Sequence, residues 1–212
     1  MIIESILAIL IAYLLGAIPF AYIAGRLKKG VDIRRLGGGN VGTTNALREI
    51  GTGTGLLVFA GDVAKGVLAI FIAQWLGVSL IIVFIAGLAA VIGHNWSVFI
   101  KFSGGKGGAT VIGVFLALVP VFMGIAFAIM LLVAFLTSNL RLSMMAGFIA
   151  LPFLLWGFGE AGNIIAYSVA LPLLTGLRIL PSIIKGAKDP QARKNFIVDR
   201  DYTPWQKKKK QK

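Results

Sequence analysis

Apolar residues in this chain are gathered into long runs separated by short glycine-rich or basic stretches, with none of the alternation of a half-buried soluble strand. A helix needs about 20 apolar residues to cross the hydrocarbon core of a bilayer, fewer where neighbouring helices shield it. Seven runs qualify: Ile2 to Ala24, Leu56 to Trp75, Ser79 to Phe99, Ala109 to Val119, Val121 to Leu136, Leu142 to Phe158 and Ile164 to Leu180. With 58% hydrophobic and 14% charged residues among 212, water is not the main solvent. The fold expected is all-α: a polytopic membrane helical bundle of seven transmembrane helices.

The count turns on Pro120. Proline lacks the amide donor and clashes with the preceding turn, so the run from Ala109 to Leu136 is either one kinked helix or two short ones. Charge favours two, because short cytoplasmic loops retain positive residues. Arg26, Lys28, Lys29, Arg34, Arg35 and Arg48 follow the first run, Lys101 and Lys106 the third, and Arg141 the fifth, whereas the turns near Gly77, Pro120 and Gly159 hold no Lys or Arg. Seven crossings gather all the basic segments on the cytoplasmic side, with the amino terminus outside and the carboxyl terminus inside.

Residues 1–188 read as a single membrane-embedded domain and 189–212 as a basic cytoplasmic tail. From Lys185 onward the chain carries ten basic and three acidic residues, a pattern that serves as a topology anchor or a surface for anionic headgroups. No basic residue precedes the first run and no small-residue cleavage site follows it, so it reads as a retained span and not a signal peptide. The net charge of +13 lies in loops between spans, which favours membrane lipid and phosphorylated substrates over nucleic acid. The absence of cysteine excludes thiolate chemistry, and a single histidine cannot form a His cluster; no metal and no cofactor is implied.

Two loops offer anion-binding chemistry. The first runs Gly37-Gly38-Gly39-Asn40-Val41-Gly42-Thr43-Thr44-Asn45 and is followed by Arg48. Gly37, Gly39 and Gly42 match the dinucleotide fingerprint, but no strand precedes them, so a βαβ site is rejected. Glycines that permit close approach, Asn and Thr donors and a bidentate arginine remain; the competing reading is a flexible loop. The second loop includes Gly93-His94-Asn95 and Phe102-Ser103-Gly104-Gly105-Lys106-Gly107-Gly108, leading into Ala109-Thr110. It lacks the Walker spacing, yet glycines feeding a helix start aim amides and a positive dipole end at an anion, and Lys106 adds a full charge. Asp62 and Lys65 lie one turn apart inside the second run, either as a neutralising pair or lining a site. His94 is either a hydrogen-bonded packing group or a base active near neutrality.

Together the two loops resemble the bacterial acyl-phosphate-dependent glycerol 3-phosphate acyltransferases, the PlsY family, over about residues 1–188. Gly37 to Arg48 follow the family's Gly-Ser-Gly-Asn-x-Gly-Ala-Thr-Asn-x-x-Arg except at Gly38 and Thr43. Gly93-His94, Phe99, Phe102, Gly104-Gly105-Lys106-Gly107 and Ala109-Thr110 fall in the order and spacing of its second motif, and Asp62-x-x-Lys65-Gly66 resembles its second span. The third motif, roughly His-Arg-x-Asn-Ile-x-Arg-Leu-x-x-Gly-x-Glu, is poorly kept. Ile183 and Gly186 fit; Gly176, Ile179, Ser182 and Lys188 replace histidine, asparagine, arginine and glutamate, and Arg178 is one position out of register.

The resemblance implies an enzyme of the bacterial inner membrane with cytoplasmic active-site loops, moving an acyl group from acyl phosphate to glycerol 3-phosphate to give lysophosphatidate and phosphate. It implies Lys106, Arg48 and His94 as catalytic residues. Gly38, Gly39, Asn40, Thr43, Thr44, Asn45, Gly104, Gly105, Gly107, Asp62 and Lys65 are the implied substrate-binding groups. In this scheme Lys106 and Arg48 offset repulsion between two phosphates, the Gly104 to Gly107 amides hold the donor, and Asn40, Thr44 and Asn45 position the acceptor. The altered third motif motivates an alternative, a non-catalytic membrane binder or transporter of a phosphorylated lipid or organic anion. A CDP-alcohol transferase is discounted, since none of the eight carboxylates forms an acidic cluster.

Overall fold

The structure, a computed structural model, describes residues 2–188, apart from the side chains of 181–183 and 185–188. The tail 189–212 and the third-motif positions Ser182, Ile183, Gly186 and Lys188 lie outside the described residues or side chains. The described elements are helical: α1 (Ile2–Ala17), α2 (Phe20–Lys29), α3 (Thr43–Glu49), α4 (Thr52–Trp75), α5 (Leu80–Asn95), α6 (Gly108–Leu118), α7 (Pro120–Thr137), α8 (Leu140–Gly157) and α9 (Gly162–Lys188), with turns of 3-10 helix at Ile33–Arg35 and Val98–Ile100. Among the described residues six segments are long and apolar enough to cross a membrane; α6, with 11 residues, is shorter.

Their outer faces carry large apolar side chains, among them Leu131, Phe135, Phe153, Trp156 and Leu177, each more than half exposed. Such a surface suits lipid, not water. Inside, the helices meet through small residues, which permit close backbone approach where lipid supplies no hydrophobic drive to associate. A Cβ on Gly16 would overlap the Ala90 carbonyl, one on Gly93 the Tyr13 carbonyl, one on Gly66 the Thr110 carbonyl and one on Gly113 the Val63 carbonyl. The first two seams join α1 to α5 and the last two join α4 to α6. As a result α6 is buried from Gly108 to Phe115, the centre against which the longer helices pack.

The Ala109–Leu136 run is divided as the charge pattern requires. Val119, with φ −140° and ψ 65°, breaks the helix between α6 and α7, and Pro120 opens α7 at a position where its missing amide is one the helix would leave unpaired anyway. The first span differs from expectation. Instead of running unbroken from Ile2 to Ala24, it stops at Ala17 and restarts as α2 after Ile18–Pro19. Proline at that position withholds a donor and leaves main-chain carbonyls needing partners within the bundle. Two buried side chains supply them: Ser97 Oγ donates to the Ala17 carbonyl at 2.5 Å and Lys65 Nζ to the Ile18 carbonyl at 3.2 Å.

Candidate active site

The loop before α3 is folded around Asn45, which is buried. Its Nδ2 donates to the carbonyls of Ile33, Leu36 and Asn40 at 2.9–3.2 Å, and its Oδ1 accepts from Gly38 N at 3.0 Å. Gly37 and Gly39 adopt φ of +51° and +67°, conformations that favour glycine. A Cβ on Gly37 would in addition overlap the Asn45 amide. Asn45 therefore shapes the turn that presents Gly38, Gly39 and Asn40, and its own hydrogen-bonding capacity is consumed by the main chain. Thr43 and Thr44 open α3, with the Thr43 hydroxyl buried and unpaired.

Ahead of that turn Asp32 caps the 3-10 segment, accepting from Arg34 N at 3.0 Å, while the Arg34 guanidinium grips the same carboxylate at 2.6–3.1 Å. The Arg34 side-chain hydrogen bond, outweighing desolvation, holds the Asp32 carboxyl down to about 2. Arg34 Nη1 also donates to the Ile100 carbonyl at 3.1 Å, and the Val41 carbonyl lies under Gly105. The first glycine loop is thereby fastened to the second.

The second loop turns over the end of α5. Gly105 N donates to the His94 carbonyl at 3.0 Å, and side chains on Gly104 or Gly105 would collide with the His94–Asn95 main chain or the His94 ring. Gly107 has φ +86° and lies against Asn95 and Thr175; Gly108 lies against Met144 of α8. The turn places half-buried Lys106 where α6 begins, beside the first amides of that helix. Burial, and then the guanidinia of Arg141, Arg178 and Arg48, push the Lys106 ammonium down to about 8. Arg48 of α3, Arg141 of α8 and Arg178 of α9 thus share one end of the bundle with Lys106, a cationic mouth over the turn before α6. Beneath it, the amide of Asn95 and the hydroxyl of Thr110 are wholly buried without protein partners.

Asp62, Lys65 and His94 form a separate buried cluster. Lys65 Nζ lies 2.8 Å from Asp62 Oδ1, and His94 Nδ1 lies 3.4 Å from the same oxygen. A small cavity bounded by Ala17, Pro19, Val41, Ser97, Ile100 and Gly104 adjoins them. Sequence reasoning named the pair and His94 individually; the structure joins them across α4 and α5 and sets the His94 ring under Gly105. Arg48 lies near enough to Lys106 to oppose its charge. Arg141 and Arg178 were seen in the sequence only as a topology marker and a misplaced third-motif residue; the available signal was a lone cation at the end of an apolar helix.

A multi-span helical protein with a cationic, glycine-lined mouth at one end of its bundle is the class defined so far. Residues 6–185 match the protein family described as Glycerol-3-phosphate acyltransferase. "Glycerol-3-phosphate acyltransferase 2" of Moorella thermoacetica is 42% identical over 178 residues, covering 84% of this chain and 91% of that protein. "Glycerol-3-phosphate acyltransferase 1" of Dehalococcoides mccartyi is 39% identical over 199 residues, covering 91% and 96%. A crystal structure of PlsY (YgiH), an integral membrane glycerol 3-phosphate acyltransferase, in its glycerol 3-phosphate form superimposes with a TM-score of 0.79 at 34% identity, covering 85% of this chain and 90% of that one. The lysophosphatidic acid form gives 0.77. The chain belongs to the glycerol-3-phosphate acyltransferase family.

Proposed function

We propose that this protein transfers a fatty acyl group from acyl phosphate to the sn-1 hydroxyl of glycerol 3-phosphate, giving lysophosphatidate and phosphate, the first acylation of phospholipid synthesis. The observation that carries this reading is the convergence of Lys106, Arg48, Arg141 and Arg178 over a glycine turn at the end of an apolar bundle. Two phosphorylated substrates bring like charges together, and a cluster of cations offsets their repulsion where they must meet. The acyl chain lies among apolar helices, while both phosphoryl groups reach the mouth from water.

The hydroxyl oxygen bonds to the acyl carbon as the bond from that carbon to the phosphate oxygen breaks, and the hydroxyl proton leaves with the phosphate. An acyl phosphate is already activated, so no covalent enzyme intermediate is required. His94 is not assigned as the base, because its Nδ1 faces Asp62 and its ring is covered by Gly105. It supports the glycine turn from below, and the substrate phosphate takes the proton. The amides of Gly104, Lys106 and Gly107, that of Gly105 being taken by the His94 carbonyl, stabilise charge developing on the acyl oxygen. Asn40 and Thr44 face the acceptor, on a loop held in shape by Asn45.

We infer further that α6 is a seventh, shortened crossing shielded by its neighbours, that the amino terminus is outside, and that the mouth opens to the cytoplasm of a bacterial inner membrane. The positive loops support this arrangement. Purified protein given acyl phosphate and glycerol 3-phosphate is expected to form lysophosphatidate and release phosphate in equal amounts. Lys106→Ala should abolish turnover while leaving thermal unfolding of the ligand-free protein near that of the wild type. Undiminished turnover in that variant, or binding of both substrates by the wild type without product, would sink the assignment.

A further inference from the structure

Arg178 stands on α9 between Gly176 and Ile179, two positions at which the family's third motif has histidine and asparagine. Its guanidinium lies 5.2 Å above the Trp96 ring and donates from Nη2 to the Asn95 carbonyl at 3.4 Å. One turn earlier, Thr175 is buried with its methyl 3.2 Å from the position a Gly107 Cβ would take. Met144, nearly one turn after Arg141 on α8, packs against Gly108 in the same way. Both helices are thus seated on the turn that carries Lys106, and each delivers one guanidinium to it.

An arginine has five N–H donors in a rigid fork, and stacking on an aromatic face fixes the plane of that fork without using them. Arg178 spends one on Asn95, and its side chain is exposed while Lys106 is half-buried. It therefore sits at the rim, where a substrate arriving from water meets the site before reaching Lys106. Guanidinium forks match phosphate oxygens bidentately. We propose that Arg178, assisted by Arg141, binds the phosphoryl group of the water-borne acceptor, replacing the polar groups that the third motif of this chain has lost. This rests on the acyl-transfer reading for the identity of the acceptor, glycerol 3-phosphate.

The test is steady-state kinetics and direct binding on detergent-purified protein. Arg178→Gln should raise KM for glycerol 3-phosphate about tenfold or more, the scale of a lost charge-assisted contact, and leave KM for acyl phosphate nearly unchanged. Arg141→Gln should act in the same direction by a smaller factor. Titration of glycerol 3-phosphate into wild type and Arg178→Gln without donor reads the same site in the absence of turnover, so a wild type that binds but makes no product overturns the acyl-transfer reading and not this one. Affinity for glycerol 3-phosphate within about twofold of wild type in Arg178→Gln, or equal rises in both KM values, would overturn it. Should that variant fail to fold, Arg178→Lys keeps the charge but not the stacked fork. It is expected to bind the acceptor several-fold more weakly, and unchanged binding again overturns the assignment.

Discussion

Lys106 loses its charge near pH 8 because burial and three guanidinia oppose its ammonium. Two pH effects of opposite sign follow. Binding of phosphorylated substrate requires the cation, so kcat/KM should fall as pH rises through about 8, and Lys106→Arg, whose charge persists to far higher pH, should remove that limb. The free lysine titrates near 10.5, so between the two values the unfolded chain binds the additional proton, and this group makes the ligand-free fold more stable as pH rises across that window. Thermal unfolding against pH, with and without inorganic phosphate, separates the two. At Asp32 the slope has the same sign in a different window: its stabilising contact is complete above 3.8 and is lost as pH falls toward 2. Asp32→Ala, which removes the cap and the grip on Arg34, should cost about 1 kcal/mol in denaturation.

At the scale of elements, the α4–α6 seam makes a sharp forecast. Gly66→Ala and Gly113→Ala each place a methyl on a main-chain carbonyl of the facing helix, so each should destabilise by roughly 1–3 kcal/mol and lower the melting temperature in detergent. Gly124→Ala is the matched control: it also lies within a helix, but a Cβ there meets nothing, and it should be neutral or stabilising by up to about 1 kcal/mol. Helix existence was legible because runs of apolar residues have no other home, and Pro120 announced its break because charge on the flanking loops agreed. Pro19 was harder to read. Its neighbours are as apolar as any span, and what makes the break tolerable, the reach of Lys65 and Ser97 to freed carbonyls, depends on α4 and the segment after α5 lying alongside.

For the whole molecule, the seven crossings proposed above predict which side each turn faces. The chain has no cysteine, so single cysteines can report it directly. Ser79→Cys and Glu160→Cys, both at exposed positions, should react with an impermeant thiol reagent in intact cells, and Lys28→Cys only after the membrane is opened. Labelling of all three from outside would reject the topology. The motif-bearing half of the site was readable because Gly37 to Arg48 and Gly93 to Thr110 keep their character locally. Arg141 and Arg178 were not, since their approach to Lys106 is created by the seating of α8 on Gly108 and of α9 on Gly107, contacts that no local pattern encodes.

The cationic mouth also bears on how a turnover ends. In the proposed reaction acyl phosphate and glycerol 3-phosphate enter with two phosphoryl groups, and lysophosphatidate and phosphate leave with two; the hydroxyl proton merely changes hands. The four cations face about the same negative charge after the reaction as before it, so electrostatics provides little impulse to expel product. Departure must then rely on lysophosphatidate partitioning into the bilayer and on phosphate diluting into water. Inorganic phosphate should accordingly slow the enzyme by competing for the mouth, more strongly at pH 7 than at pH 9, where Lys106 has given up its proton.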